Sequence, residues 1–176
     1  MPHVADSAGL LALPDVLQFM QLLWAVVHGV ERTSKRMNAE IGVTGPQRLV
    51  LRVVGLFPGI SAGHLAAELR VHPSTLTGVI QRLVGQRLLA RADDPGDRRR
   101  AVLSLTARGA RLNAVRHGTV EAAIAEALDG VSDRDRAATR RVLDRLAAQL
   151  GRSGGAAGEA APRPAPSGAR RGRRTR

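Results

Sequence analysis

From Leu13 onward, apolar residues recur in steps of three and four: Leu13, Val16, Leu17, Met20, Leu23, Trp24, Val27 and Val30. That spacing predicts a long amphipathic helix reaching Glu40, with Gly42 ending it. Thr44 and Gln47 then stand at capping-box spacing around Pro46, opening a second helix that carries Leu49, Val50, Val53, Val54 and Leu56. Phe57-Pro58-Gly59 stops it. Ser61 is a good N-cap for a short third helix over 62–70, with Leu65, Ala66 and Leu69 inward. Pro73 starts a fourth helix after a tight turn, and Leu76, Val79, Ile80 and Leu83 share one of its faces. Two β-prone runs follow, 88–92 and 101–105, around the turn Asp94-Pro95-Gly96-Asp97. Thr106 caps a fifth helix over 107–128, and Ser132 caps a sixth that reaches Leu150. The pattern predicts a mainly α fold with a small two-stranded β-wing, in the order α-α-α-α-β-β-α-α. From Gly151 the periodicity stops. Gly, Ala, Pro, Ser and Arg dominate, a composition that cannot offset the entropy of ordering and predicts a disordered tail.

The polar face of the fourth helix carries Ser74, Thr75, Thr77, Gly78, Gln81 and Arg82. Most of these side chains are short and hydrogen-bonding, and almost none is charged. Two short helices joined by a tight turn, the second polar on its outer face, form a helix-turn-helix pattern. Arg98, Arg99 and Arg100 follow the hairpin turn at once, with Arg91 on the preceding strand. Such a helix can offer hydrogen-bonding groups to base edges, and an arginine-tipped hairpin can offer charge to phosphate or the minor groove. Gln81 suits adenine, and Arg82 suits guanine or phosphate; the sequence does not choose. Gly78 is either tolerated or lets the helix backbone approach a groove closely.

Charge supports this picture. The 176 residues carry a formal net charge of +12, and residues 151–176 alone hold seven arginines and one glutamate. A basic body with a more basic tail points to a nucleic-acid partner, and the tail suits non-specific affinity through counterion release. Aromatic residues make up only 2%, which argues against stacking on single strands and leaves duplex DNA as the expected partner. The absence of cysteine excludes disulfides and thiolate metal sites. No two of the five histidines are four residues apart, so no metal and no cofactor is expected. No nucleophile–base motif and no phosphate-binding glycine loop is present, so the chain reads as no enzyme. The apolar run 22–27 is too short to span a bilayer, which predicts a cytoplasmic, nucleoid-associated protein without membrane contact.

The run Asp97-Arg98-Arg99-Arg100-Ala101-Val102-Leu103-Ser104-Leu105-Thr106 resembles the wing signature of the MarR family of winged-helix regulators: Asp and Arg two apart, five residues, then Leu-Thr. Ser74-Thr75-Leu76-Thr77 and Gly109 are similar to the family as well. The resemblance covers roughly residues 10 to 150. It implies an obligate-type helical homodimer, with residues 1–42 and 107–150 as dimerisation helices around a DNA-binding domain at 43–106 and a basic tail at 151–176. It further implies a sequence-specific regulator, a repressor on a palindromic operator, with half-sites roughly 34 Å apart. In this reading Ser74, Thr75, Thr77, Gly78, Gln81, Arg82, Arg91, Arg98 and Arg100 meet DNA, while Asp97 braces the wing through Arg99. A small aromatic or phenolic effector is expected in a pocket near Trp24, His28, Leu51 and His117. The alternative is an architectural DNA-binding protein with little sequence preference.

Overall fold

The computed structural model describes residues 13–94 and 96–156, the side chains of 97–100 and 153–156 excepted. These residues form α1 (Asp15–Ile41), α2 (Gly45–Leu56), β1 (Ile60–Ser61), α3 (Ala62–Leu69), α4 (Pro73–Gly85), β2 (Leu89–Asp94), β3 (Asp97–Leu105), α5 (Ala107–Asn113), α6 (Val120–Leu128) and α7 (Asp133–Ala156). The chain falls into two compact units, one ending at Ala127 and one starting at Leu128.

In the first unit the core lies between α2, α3, α4 and the sheet. Val50, Leu51 and Val54 meet Leu65, Ala66, Leu76, Ile80 and Leu83 there, closed by Leu88, Leu89 and Leu103. All are aliphatic, as the scarcity of aromatics requires. Each fully buried leucine in this set contributes about 1.5–3 kcal/mol relative to exposure. Local chemistry sets the boundaries. Gly42 takes φ 76° and its N–H bonds to the Asn38 carbonyl at 3.0 Å, ending α1. The Gln47 side chain accepts from the Thr44 N–H at 2.9 Å and opens α2. Ser61 Oγ accepts from the His64 N–H at 3.3 Å and opens α3.

α1 behaves differently. Only Met37 is buried on it; Val16, Met20, Trp24 and Val27 all remain more than half exposed. Its C-terminal end is tied to α2, where Ser34 Oγ accepts the Gly45 N–H at 2.8 Å. Among the described residues of this unit the rest of its apolar stripe stays largely exposed.

Three departures from the sequence expectation have clear causes. First, the sheet has three antiparallel strands in the order β1-β3-β2, not two. β1 is two residues long, pairing Ile60 with Leu103 and Ser61 with Val102, too short to register as alternation. Second, the hairpin is longer than expected and irregular. Asp93 pairs with Ala101, but Asp94 pairs with Asp97, so residues 98–100 are inserted as a bulge. Third, the single helix expected over 107–128 is two. Gly118 at φ 69° breaks it, and Thr119 Oγ1 restarts α6 by accepting the Ala122 N–H at 3.2 Å.

The break is held by Arg48, which the sequence reading passed over. Its guanidinium is 1% exposed. It donates to the carbonyls of Leu112 at 2.5 Å and Val115 at 2.6 Å, and its Nε meets Glu121 Oε1 at 2.6 Å. Arg48 thus adds donors where the chain leaves α5: the Val115 carbonyl beyond its end, and the Leu112 carbonyl that also accepts the Val115 N–H at 3.1 Å. Burial pushes the Glu121 carboxyl up. Its backbone hydrogen bond, the hydrogen bond and charge of Arg48, and the Thr119 hydroxyl outweigh that and hold it below its ordinary value. A carboxyl depressed in the folded state stabilises the fold above its unfolded pKa, and this stability is lost as pH falls through the folded pKa. Acid titration of unfolding should therefore show a Glu121 contribution at neutral pH that fades as pH falls below the ordinary glutamate range and is lost below the lowered folded pKa. In Glu121→Gln the contribution should be absent at every pH; an unchanged acid limb would refute it.

The second unit holds α7. Ser132 Oγ accepts the Asp135 N–H at 3.2 Å, the cap expected at this position. α7 runs on to Ala156, so residues 151–156, expected to belong to the tail, continue the helix backbone. The remainder of the tail lies outside the described residues. Among the described residues no helix is long and apolar enough to cross a membrane.

Candidate nucleic-acid interface

α3 and α4 are joined by three residues, with Arg70 in the left-handed region at φ 52° making the corner. Pro73 takes the first position of α4. The cap before it is His72, whose Nδ1 accepts the Ser74 N–H at 3.3 Å and lies 2.7 Å from Ser74 Oγ. Histidine is not among the usual capping residues, so sequence alone gives little signal for this role.

α4 sorts its residues as the periodicity requires. Leu76, Ile80 and Leu83 are buried; Ser74, Thr75, Thr77, Gln81 and Arg82 are exposed. The structure brings these five to one solvent-facing surface. Thr77 Oγ1 donates back to the Pro73 carbonyl at 2.8 Å, which fixes the hydroxyl and leaves its lone pairs free to accept. Gly78 lies on this side too, and a Cβ added there would meet nothing within 4 Å. Packing within the chain therefore places no demand for glycine at this position.

β2 and β3 extend beside this helix as the wing. Arg91 is exposed on β2, opposite Leu103, and borders a concavity of about 400 Å³ with Ser61, Ala62, Gly63, His64 and Ala101. Residues 97–100 belong to β3 by backbone, and Arg98, Arg99 and Arg100 occupy its bulge. The Asp97–Arg99 brace and the DNA contacts of Arg98 and Arg100 concern side chains that lie outside the described residues.

The base of the wing is tightly built. Arg87, at φ 56°, turns the chain out of α4, and its carbonyl accepts from Thr106 Oγ1 at 2.7 Å. Thr106 Oγ1 in turn accepts the Gly109 N–H at 3.0 Å and caps α5. A Cβ on Gly109 would lie 2.0 Å from the Leu88 carbonyl oxygen. Gly109, noted in the sequence only for its position after Leu-Thr, is there because backbone passes against backbone.

The residues expected around an effector pocket separate. Trp24 and His28 adjoin, with ring centroids 5.0 Å apart, stacked at 29°, and His28 Nδ1 lies 2.9 Å from the Trp24 carbonyl. His117 is exposed between α5 and α6. Leu51 is fully buried in the α2–α4 core, where the inward side of α2 places it, apart from Trp24, His28 and His117. A cleft of about 250 Å³ does lie between α1 and α6, bordered by Val26, Gly29, Val30, Thr33, Ala123 and Ile124 among others. None of the four expected residues lines it.

A helix-turn-helix whose second helix is polar outward, followed by a β-hairpin, defines a winged-helix DNA-binding module. Residues 41–100 match the model of the MarR family. The HTH-type transcriptional repressor Rv2887 of Mycobacterium tuberculosis is 29% identical over 108 residues, covering 61% of this chain and 78% of that one. A MepR-like protein solved with pseudoligands superposes at TM-score 0.64 and 24% identity, covering 78% of this chain and 97% of that one. MepR of S. aureus, solved with DNA, superposes at TM-score 0.62 and 17% identity, covering 75% and 97%. At these identities the structural likeness is one of fold. The chain is thus similar to MarR-family regulators over residues 41–100 and shares the fold of these solved relatives.

Proposed function

We propose that this protein is a homodimeric transcriptional repressor that reads a palindromic duplex operator and leaves it when a small molecule binds. The observation that carries the reading is the exposed surface of α4, where Ser74, Thr75, Thr77, Gln81 and Arg82 stand opposite a fully packed face. In a major groove, Gln81 and Arg82 supply base-edge hydrogen bonds, and Ser74 and Thr75 approach phosphate at the helix N-terminus. Arg91, Arg98 and Arg100 add wing contacts, with Asp97 orienting Arg99. Repression is argued from the names of the mycobacterial relatives, and effector release from a fold-similar protein solved with pseudoligands. An effector acts by favouring a dimer whose half-site separation no longer fits the operator.

The dimer is argued from α1. Apolar side chains left open along a 27-residue helix are costly in a monomer and ordinary in a subunit interface. Sedimentation at micromolar concentration should give one species of twice the 18.7 kDa chain mass. A monomer would remove the two-fold reading of the operator.

Selection of bound duplexes from a random pool tests the function. A palindromic consensus bound at least 10³-fold tighter than random duplex is expected for a specific regulator. A ratio near one at all salt concentrations would favour the architectural alternative. Gly78→Ala gives a sharper check. The substitution should stabilise α4 by about 0.5–1 kcal/mol, since alanine is the better helix former and has room. Operator affinity should nevertheless fall, because the new methyl group meets the groove. Unchanged affinity would place Gly78 away from DNA.

A further inference from the structure

We propose that the corner between α2 and α3 is a binding site for a small organic cation with an apolar body. A cavity of about 590 Å³ opens there, walled by Phe57, Pro58, Gly59, Ile60, His64 and Glu68. Its size suits a small molecule. His64 and Glu68 are four residues apart on α3 and therefore share one face.

The apolar wall is fixed by backbone, not by burial. Phe57 ends α2, its N–H bonded to the Val53 carbonyl at 2.9 Å and its carbonyl accepting the Ile60 N–H at 3.1 Å. Gly59, at φ 88°, donates its N–H to the Leu103 carbonyl at 2.9 Å and ties the turn to β3. The Phe57 backbone is thus held in a closed turn while 56% of the residue stays exposed. It is one of only two phenylalanines in the chain.

Charge selects the ligand class. Among the described residues Glu68 is the only carboxylate on the wall, and no described lysine or arginine lines it. Among the described residues no cation stands within ion-pair distance of Glu68. In a chain of net charge +12, an unpaired carboxylate beside an open aromatic ring is a local cation site. An ammonium or aryl cation gains both from the ring face and from the carboxylate, while its apolar part covers Pro58 and Ile60. A phenolate or benzoate would face the Glu68 carboxylate there, with His64 as the one described lining side chain able to carry positive charge. This chemistry differs from that of the aromatic or phenolic effector expected near Trp24, and the inference does not depend on the DNA-binding reading.

Isothermal titration of the full chain with benzyltrimethylammonium, and separately with benzoate, tests it. The cation should bind at one site per chain, and benzoate at least tenfold more weakly. Glu68→Gln and Phe57→Leu should each weaken the cation about tenfold, a loss of the size expected for one cation–π or charge contact. Both side chains are exposed, so the melting temperatures should stay at the parent value. Trp24→Ala should leave the affinity unchanged. The proposal is overturned by absence of cation binding, by equal binding to Glu68→Gln, by benzoate binding as tightly as the cation, or by loss of binding in Trp24→Ala.

Discussion

Arg48→Met should lower the unfolding free energy by about 1–3 kcal/mol, the range for leaving a buried polar acceptor without its donor, because the Glu121 carboxylate left behind is 38% exposed and keeps solvent. Methionine fills similar space, so loss of volume contributes little. What is lost is donors: the Leu112 and Val115 carbonyls and the Glu121 carboxylate each lose a bond of 2.6 Å or less. An unpaired buried acceptor costs about 1–3 kcal/mol. The Val115 carbonyl loses its Arg48 donor, while the Leu112 carbonyl keeps the Val115 N–H at 3.1 Å and the half-open Glu121 keeps its bond to Thr119. Arg48→Lys should recover only part of the loss, because one ammonium cannot serve three acceptors spread around a planar guanidinium. Arg52→Met is the control. Its contacts to Asn113 are 3.3–3.4 Å long, and its removal should cost below about 1 kcal/mol. Urea denaturation of the three variants separates these expectations. Equal midpoints for Arg48→Met and the parent would show that the α5–α6 break needs no such latch.

Gly109→Ala should be the most damaging single-methyl change, costing about 3 kcal/mol or more. The added Cβ would stand 2.0 Å from the Leu88 carbonyl oxygen and 3.0 Å from its carbon. Both are backbone atoms, so no rotamer change relieves the contact. Relief needs α5 to move off the turn that leads into β2, which breaks the Thr106 bonds to Arg87 and Gly109. Operator affinity should fall with stability, since that turn sets where the wing leaves α4. The contrast with Gly78→Ala is direct: two glycines, one demanded by the chain's own backbone and one not. A denaturation midpoint for Gly109→Ala equal to the parent's would mean that α5 is free to shift.

The wing shows how far sequence reading reached and where it stopped. Turn residues and β-prone runs placed the hairpin, yet the strands extend to Asp94 and begin again at Asp97. The three-residue bulge at 98–100 depends on which register the two strands adopt, and register is decided across the hairpin. The fifth helix is the fuller lesson. The apolar spacing of Leu112, Val115, Val120 and Ile124 is compatible with one continuous helix, and so predicted one. Gly118 and Thr119 held the signal for a break, a left-handed residue followed by a cap, but a lone glycine is also tolerated inside helices. The deciding group is Arg48, more than sixty residues away. Leu51 shows the same limit: periodicity marks its side chain as inward-facing but not what it meets there, which is the core between α2 and α4.

By itself the sequence determined what depends on near neighbours along the chain. Helix starts at Thr44, Ser61, Pro73, Thr106 and Ser132, the stop at Gly42, the apolar faces, and the polar surface of α4 all follow from spacing, capping and φ preference over a few residues. The winged helix-turn-helix order follows from these local facts. Tertiary structure alone decided what depends on distant approach. It buried Arg48 against the carbonyls of a broken helix, made Gly109 obligatory beneath Leu88, added β1 to the sheet, and left Phe57 and Glu68 facing one cavity. Those outcomes arise from close packing and from the need to satisfy every buried polar group, and neither is written in the spacing of residues.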